Sequence, residues 1–317
     1  MVAAETPAAV AALDCGTNST RLLIVRADGV VLERQMRITR LGEGVDATRK
    51  LAPEAIARTL QVLAEYHELM DHHQVRRARL VATSAARDAT NAEEFLTGAH
   101  EVAGATPEVL TGLEEGALSF AGATAHLPPE RLGPGPVLVV DVGGGSTELV
   151  AGSLLRLGGD DEWASVVSMD LGCVRVTERF FHHDPPLADE LEEARSAVDA
   201  HLARARDELP RLEPGGLLIG LAGTVSTLAA LEQGLATYER GRIHHFVLTR
   251  SAVVTWLERL AAESSQARAA RSGMVAGRAD VILGGVLVLN AVMADFDRPE
   301  CLVSEDDILD GLASSLV

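Results

Sequence analysis

The sequence predicts an α/β protein made of two domains of related topology. Three observations predict it. The first is an internal repeat: Asp14–Leu22 (DCGTNSTRL) lies over Asp141–Leu149 (DVGGGSTEL) at a constant offset of 127 residues (141 minus 14). Asp14 falls on Asp141, Gly16 on Gly143, Ser19 on Ser146, Thr20 on Thr147 and Leu22 on Leu149. The second is composition: 47% of residues are hydrophobic but only 3% aromatic, so the core must be built from Ala, Val, Leu and Ile. The third is length, since 317 residues suit two domains of average size.

The elements follow in order. Ala8–Leu13 and Leu22–Val25 are apolar runs, and Val30–Ile38 follows the Asp28-Gly29 turn, which reads as strand, turn, strand. Pro53 opens a helix to about Met70, with Ile56, Leu60 and Leu63 on one face. Leu80–Thr83 reads as a buried strand, then Ala92–Ala103 and Leu113–Leu127 as helices. Leu127–Pro136 holds four prolines and two glycines in ten residues, and we place the domain boundary there, at 127/128. Beyond it, Val137–Val140, Glu148–Ala151 and Ala164–Met169 read as strands, with a hairpin tip at Gly158–Asp161. Val174–Phe181 and Leu187–Leu209 are helical patterns, Leu217–Leu221 is a buried strand, and a helix runs from Gly223 to about Leu231. Ser251–Ala262, Asp280–Ala294 and Asp306–Leu316 read as helices, with a short strand at Leu302–Ser304. The last helix is expected to pack back onto the first domain.

Charge and cysteine content narrow the function. The net charge is −18 at pH 7, opposite in sign to what a sequence-independent duplex binder needs, and no nucleic-acid partner is expected. Any anionic substrate must be held locally, by Arg and backbone N–H groups. Lys50 is the only lysine; codon usage explains that bias as well as phosphate binding does. Cys15, Cys173 and Cys301 form neither a disulfide framework nor a zinc pattern, which suits a reducing cytoplasm. The first residues, Met1–Leu13, lack the basic start of a signal peptide. Val281–Met293, the longest apolar stretch, is short of the roughly 20 residues of a spanning helix, so no membrane segment is expected.

The repeat has a chemical rationale. In each copy a strand ends in Asp, which can face a metal or a water. A turn of small residues follows, and backbone N–H groups there can approach phosphate oxygens closely. The candidates are Gly16, Thr17, Asn18 and Ser19, with Arg21 beyond them, and Gly143, Gly144, Gly145, Ser146 and Thr147. Two such turns facing across a cleft would hold a phosphate chain from both sides. A third loop, Ala222–Thr227 with Gly223 and Thr224, follows a buried strand and opens a helix, whose N-terminus favours an anion. A single loop of this kind is usually only a turn; three, two of them duplicated, are more specific.

Taken together, the segments Asp14–Arg21, Ala82–Arg87 (ATSAAR), Thr111–Ala117 (TGLEEGA), Val139–Glu148 (VVDVGGGSTE), Leu171–Glu178 (LGCVRVTE), Gly220–Leu231, Arg242–Leu248, Arg278–Leu283 and Val303–Leu312 resemble the exopolyphosphatase / guanosine pentaphosphate phosphohydrolase (Ppx/GppA) family, within the actin–hexokinase–Hsp70 superfamily. The resemblance implies two ribonuclease-H-like (actin-like ATPase) domains with an interdomain cleft. It implies an exopolyphosphatase that removes the terminal phosphate of inorganic polyphosphate with Mg²⁺, in a cytoplasmic homodimer. It carries the general base onto Glu115; chemistry alone does not choose between Glu114 and Glu115. It gives Arg87 a phosphate-binding, catalytic role, and Asp141 and Glu148 a role in holding Mg²⁺ or the attacking water. Cys15 and Thr17 depart harmlessly from the family pattern, while Gly116, where Ala is common, is expected to loosen its helix slightly. The chain stops at residue 317, short of the C-terminal helical domains of longer members, which implies short polyphosphates.

Each assignment has a bland counterpart. Glu-Glu pairs are mostly solvated helix faces, and Arg21 and Arg87 are ordinary salt-bridge candidates. Asp141 ends a buried strand, where an unpaired carboxylate is costly, so a metal or a bonded partner is favoured. His72-His73 and His182-His183-Asp184 do not converge on one ion and read as solvated loops. His244 and His245 fall in a family-matching segment without an evident role. No G-x-S-x-G elbow is present for a serine hydrolase. The rival functions are hydrolysis of guanosine pentaphosphate or of nucleoside di- and triphosphates, a kinase of the same superfamily, and a non-catalytic polyphosphate sensor.

Overall fold

The computed structural model describes residues 8–128, 131, 136–152, 164–210, 212 and 216–317. The chain forms two compact units: residues 1–111 with 308–317, and residues 112–307.

Unit 1 opens with β1 (Ala9–Cys15), β2 (Ser19–Arg26) and β3 (Val31–Ile38), an antiparallel meander. Next come α1 (Val45–Thr48), α2 (Pro53–His72), β4 (Arg77–Ala82), α3 (Ser84–Asp88), α4 (Ala92–Ala103) and β5 (Pro107–Val109). β4 pairs parallel with β1, and β5 parallel with β4, giving the sheet order β3-β2-β1-β4-β5. β1 is buried along its whole length, as a central strand covered on both faces must be. Pro53 starts α2, where its missing N–H costs nothing. Ile56, Leu63, Tyr66 and Met70 then bury one helical stripe against the sheet and α4.

Unit 2 begins with α5 (Gly112–Ala125), then β6 (Val137–Val142), β7 (Thr147–Gly152) and β8 (Ala164–Met169), again an antiparallel meander. There follow α6 (Cys173–Phe180), α7 (Ala188–Glu208), β9 (Leu218–Leu221), α8 (Ala222–Glu232), α9 (Arg240–Ile243), β10 (Val247–Thr249), α10 (Arg250–Ala261), α11 (Ser265–Ala269), α12 (Ile282–Asp295) and β11 (Glu300–Val303). The sheet order is β10-β11-β9-β6-β7-β8, with β9 parallel to β6 and β11 parallel to β9. Read from the other edge, its first five strands repeat the connectivity and direction of unit 1, the ribonuclease-H-like arrangement. The apolar stretch predicted around Val281–Met293 is α12, a core helix buried from Ile282 to Leu289. Among the described residues no helix is long and apolar enough to cross a membrane. Its glycines admit close neighbours: a Cβ at Gly284 would press on the Cys173 carbonyl, and one at Gly285 would overlap Thr224.

Finally α13 (Ile308–Ser314) joins unit 1, packing on β1 and β2. Arg34 reaches Asp310 there at 2.5 Å, and Arg79 donates to Ser315 at 2.8 Å. The units divide at Thr111/Gly112, earlier than the 127/128 boundary expected from the Pro/Gly stretch. The reason is α5, which is fastened to the second sheet rather than the first. The hairpin tip expected at Gly158–Asp161 lies outside the described residues.

Candidate active site

The two repeat segments form equivalent β-hairpins. Asp14 pairs with Arg21 across β1 and β2, and Asp141 with Glu148 across β6 and β7. In the first turn the Gly16 N–H donates to the Ser19 carbonyl at 3.0 Å. The outcome differs at the paired side chains. In unit 1, Arg21 donates from Nε and Nη2 to Asp14 Oδ2 at 2.9 and 2.6 Å, so the hairpin is closed by an ion pair. In unit 2 the same register opposes two carboxylates on one face of the sheet, a repulsive arrangement.

Glu148 is 1% exposed and Asp141 8%. Ser119 on α5 donates to Asp141 Oδ2 at 2.7 Å, and Ser168 on β8 donates to Glu148 Oε1 at 2.8 Å. Glu148 Oε2 is buried and has no hydrogen-bond partner among the described residues. Burial first, then the charges of Glu115 and Asp141, push the Glu148 carboxyl well above the usual carboxylate range; hydroxyls of Ser168 and Ser146 oppose them. Glu115 is half-buried on the first turn of α5, whereas Glu114 is exposed. The structure therefore brings Glu115, Asp141 and Glu148 into one field, with Glu114 on the more exposed side of the same turn.

Small residues set this arrangement. α5 lies flush on the sheet through Gly112, Gly116 and Phe120, four residues apart. A Cβ on Gly112 would overlap Ser168, and one on Gly116 would stand 2.5 Å from Val166 Cγ1 and 3.2 Å from Val150 Cγ2. Phe120 fills the space over Gly152 and Ala164. Gly116 is thus a contact glycine as well as a weak helix former: its missing side chain lets the first turns of α5 lie against Val166, Val150 and Glu148.

The other predicted residues fall as follows. Gly143 and Gly144 are half-buried in the turn beside the carboxylates, with Gly145 and Ser146 buried behind them. Thr147 turns its hydroxyl away, donating to the Leu171 carbonyl. In the first hairpin Thr17 Oγ1 is buried without a partner among the described residues, and the Asn18 carbonyl accepts from the N–H groups of Thr39 and Arg40. Arg87 sits on α3, directly after β4, and donates to the Leu110 carbonyl at 2.9 Å within unit 1. At the third loop, Gly223 lies under the guanidinium of Arg278, and Thr224 is packed against Gly285. That end of α8 is covered by a cation from within the chain.

Sequence reasoning missed Ser119, Ser168, Arg175 and Arg278. Ser119 stands one helical turn after Glu115, an i, i+4 spacing that was open to reading. The histidines are accounted for locally: His183 pairs with Glu190 at 2.8 Å and His73 with Glu33 at 3.1 Å. His244 and His245 stack, and His244 Nδ1 accepts from the Glu305 N–H at 3.0 Å. Among the described residues no three His, Cys, Asp or Glu side chains are grouped as metal ligands. Two carboxylates with a buried orphan oxygen nevertheless suit an Mg²⁺ ion that keeps most of its waters.

The model of the Ppx/GppA phosphatase family matches residues 23–316. The chain belongs to that family. It is 43% identical to exopolyphosphatase 2 of Mycobacterium tuberculosis, over 97% of this chain and 98% of that protein. Among solved structures, an exopolyphosphatase-like protein superposes with a TM-score of 0.89 at 35% identity, covering 98% of this chain and 100% of the other. The Ppx/GppA family member of Aquifex aeolicus superposes with a TM-score of 0.78 at 34% identity, over 98% and 97% of the two chains.

Proposed function

We propose that this family member is an exopolyphosphatase, releasing orthophosphate from the end of inorganic polyphosphate by attack of water. The observation that carries the reading is the meeting of Glu115, Asp141 and Glu148 beside the glycine turn Gly143–Ser146. The 43% identity to an exopolyphosphatase supports it. Glu115, half-buried at the start of α5, takes the proton of the attacking water. The water oxygen bonds to the terminal phosphorus, the bridging P–O bond breaks, and its electron pair leaves with the shortened chain. Asp141 and Glu148 would hold Mg²⁺, which when bound supplies positive charge to the phosphoryl oxygens. Ser119 and Ser168 fix the two carboxylates from behind. The same reading gives phosphate contacts to the turn N–H groups of Gly16–Ser19 and Gly143–Ser146 and to Arg87. It includes a cytoplasmic homodimer; the three buried, free thiols suit a reducing compartment.

The test is orthophosphate release with Mg²⁺ from short polyphosphate, long polyphosphate and guanosine pentaphosphate, with wild type and Glu115→Gln. Release from polyphosphate that is lost in the variant supports the reading. Release from the nucleotide alone moves the activity to that substrate at the same site. Binding of polyphosphate without release from any substrate makes the protein a sensor and ends the enzyme reading.

A further inference from the structure

The glycine turn of unit 2 is held from behind by one segment. Cys173 N–H donates to the Gly143 carbonyl at 2.9 Å, and Val174 and Arg175 N–H groups donate to the Gly144 carbonyl at 2.9 and 3.2 Å. The Arg175 side chain completes the set, donating from Nε to the Gly145 carbonyl at 2.7 Å. Three successive carbonyls are therefore drawn to one side. Because carbonyl and N–H of a peptide point oppositely, the amides that follow face the other way, as an anion-binding turn requires. Arg175 is only 7% exposed, an expensive place for a guanidinium unless its bonds matter. Gly172 makes the approach possible: its φ of −141° suits any residue, yet a Cβ there would overlap the Gly144 carbonyl.

Unit 1 carries the same device. The Thr17 carbonyl accepts from Gly42 N–H at 2.9 Å, and the Asn18 carbonyl accepts from Thr39 and Arg40 N–H at 3.1 and 3.0 Å. Thr17 and Asn18 correspond to Gly144 and Gly145 in the repeat. In each unit the backing segment directly follows the third strand of the meander. Backbone donors suffice for Asn18, whereas at Gly145 a side chain, Arg175, takes that place.

We infer that Arg175 is a positioning residue for phosphate binding, holding the Gly143–Ser146 turn with its N–H groups presented to the substrate. The inference rests on the proposal that this turn binds phosphate. It is tested with Arg175→Met, Arg175→Lys and Gly172→Ala in the full chain, by steady-state orthophosphate release and by amide NMR of the turn during titration with tripolyphosphate and Mg²⁺. Weakened uniform binding raises KM with kcat nearly kept. KM should rise about tenfold in Arg175→Met and Gly172→Ala while kcat changes less than about threefold, and Arg175→Lys should recover part of the loss. The turn amides should shift with tripolyphosphate in wild type and respond only at higher concentration in Arg175→Met. Folded variants with a lower melting temperature but wild-type KM and titration would overturn the inference and leave Arg175 a structural residue. Wild-type amides that do not respond at all would overturn the phosphate-turn reading itself, and the inference with it.

Discussion

Replacing Gly116 by alanine sets two readings of one residue against each other. If Gly116 merely weakens α5, alanine should stabilise the helix by about 1 kcal/mol. The structure predicts otherwise, because the new methyl would stand 2.5 Å from Val166 Cγ1, 3.2 Å from Val150 Cγ2 and 3.5 Å from Glu148 Cβ. Apolar carbons settle at about 3.5–4.0 Å, so the first turns of α5 must retreat by about 1 Å. Overpacking of this kind costs about 1–3 kcal/mol, and the gain in helix propensity offsets about 1 kcal/mol of it. The net loss, about 0–2 kcal/mol, lowers the melting temperature by up to about 8 °C in a domain of this size. Activity should suffer more than stability. Glu115 precedes Gly116 and moves with it, and a 1 Å displacement of a catalytic group costs on the order of 10²-fold in rate. Calorimetry and phosphate release on the same preparation measure both effects. A variant that melts higher than wild type and keeps full activity would refute the flush packing of α5 and the placement of Glu115 derived from it.

Other predictions follow from the same geometry. Glu115→Gln should lower kcat by about 10²–10⁴-fold, the usual worth of a general base, while Glu114→Gln, on the exposed side, should stay within about twofold. Mg²⁺ at a hundredfold its dissociation constant should stabilise wild type by about 2.7 kcal/mol and Glu148→Gln far less, read as a melting shift in titrations with the ion. Glu190 accepts from His182 N–H, His183 Nδ1 and Leu187 N–H, and chiefly the His183 bond depresses its carboxyl to about 2. Its folded value lies below the unfolded one, so its contribution is whole above about pH 4.5 and lost as pH falls towards about 2. Glu190→Gln should accordingly flatten the stability profile across that window, and an unchanged acid limb would count against a stabilising role for these three bonds.

The repeat was legible because its information is local. An Asp at a strand end, small residues in a turn and an apolar strand beyond fix a hairpin whatever surrounds them, and both hairpins stand where the 127-residue offset puts them. Sheet neighbours such as β5 and β10 are three residues long, too short to carry a period. The compact units divide away from the Pro/Gly stretch for a different reason. Prolines and glycines at 127–136 report where the chain turns, but not which sheet the preceding helix lies on. That is decided by the glycine face of α5, whose i, i+4 spacing of Gly112 and Gly116 was present in the sequence. Its meaning, however, depends on Ser168 and Val166, far along the chain from the glycines they touch. Ser168 and Arg175 were hidden likewise, since a serine on a strand or an arginine on a helix announces nothing until its partner is known.

What the duplication changed is more informative than what it kept. Both hairpins retain Asp, glycine and serine, so both retain a turn whose carbonyls are taken from behind. The position opposite the Asp has diverged to Arg21 in one copy and Glu148 in the other. Arg21 pairs with Asp14 Oδ2 within the chain and offsets its charge. Glu148 does the reverse, placing a second buried carboxylate beside Asp141 and near Glu115, with its own Oε2 unpartnered among the described residues. Folding alone favours the first solution, because a buried like-charge pair is destabilising and apolar or oppositely charged residues would fit the same register. Keeping the unfavourable one makes sense where a cation and a reacting water complete the set. The asymmetry therefore favours the second hairpin as the place where a cation and a water would be held, as the proposed hydrolysis requires.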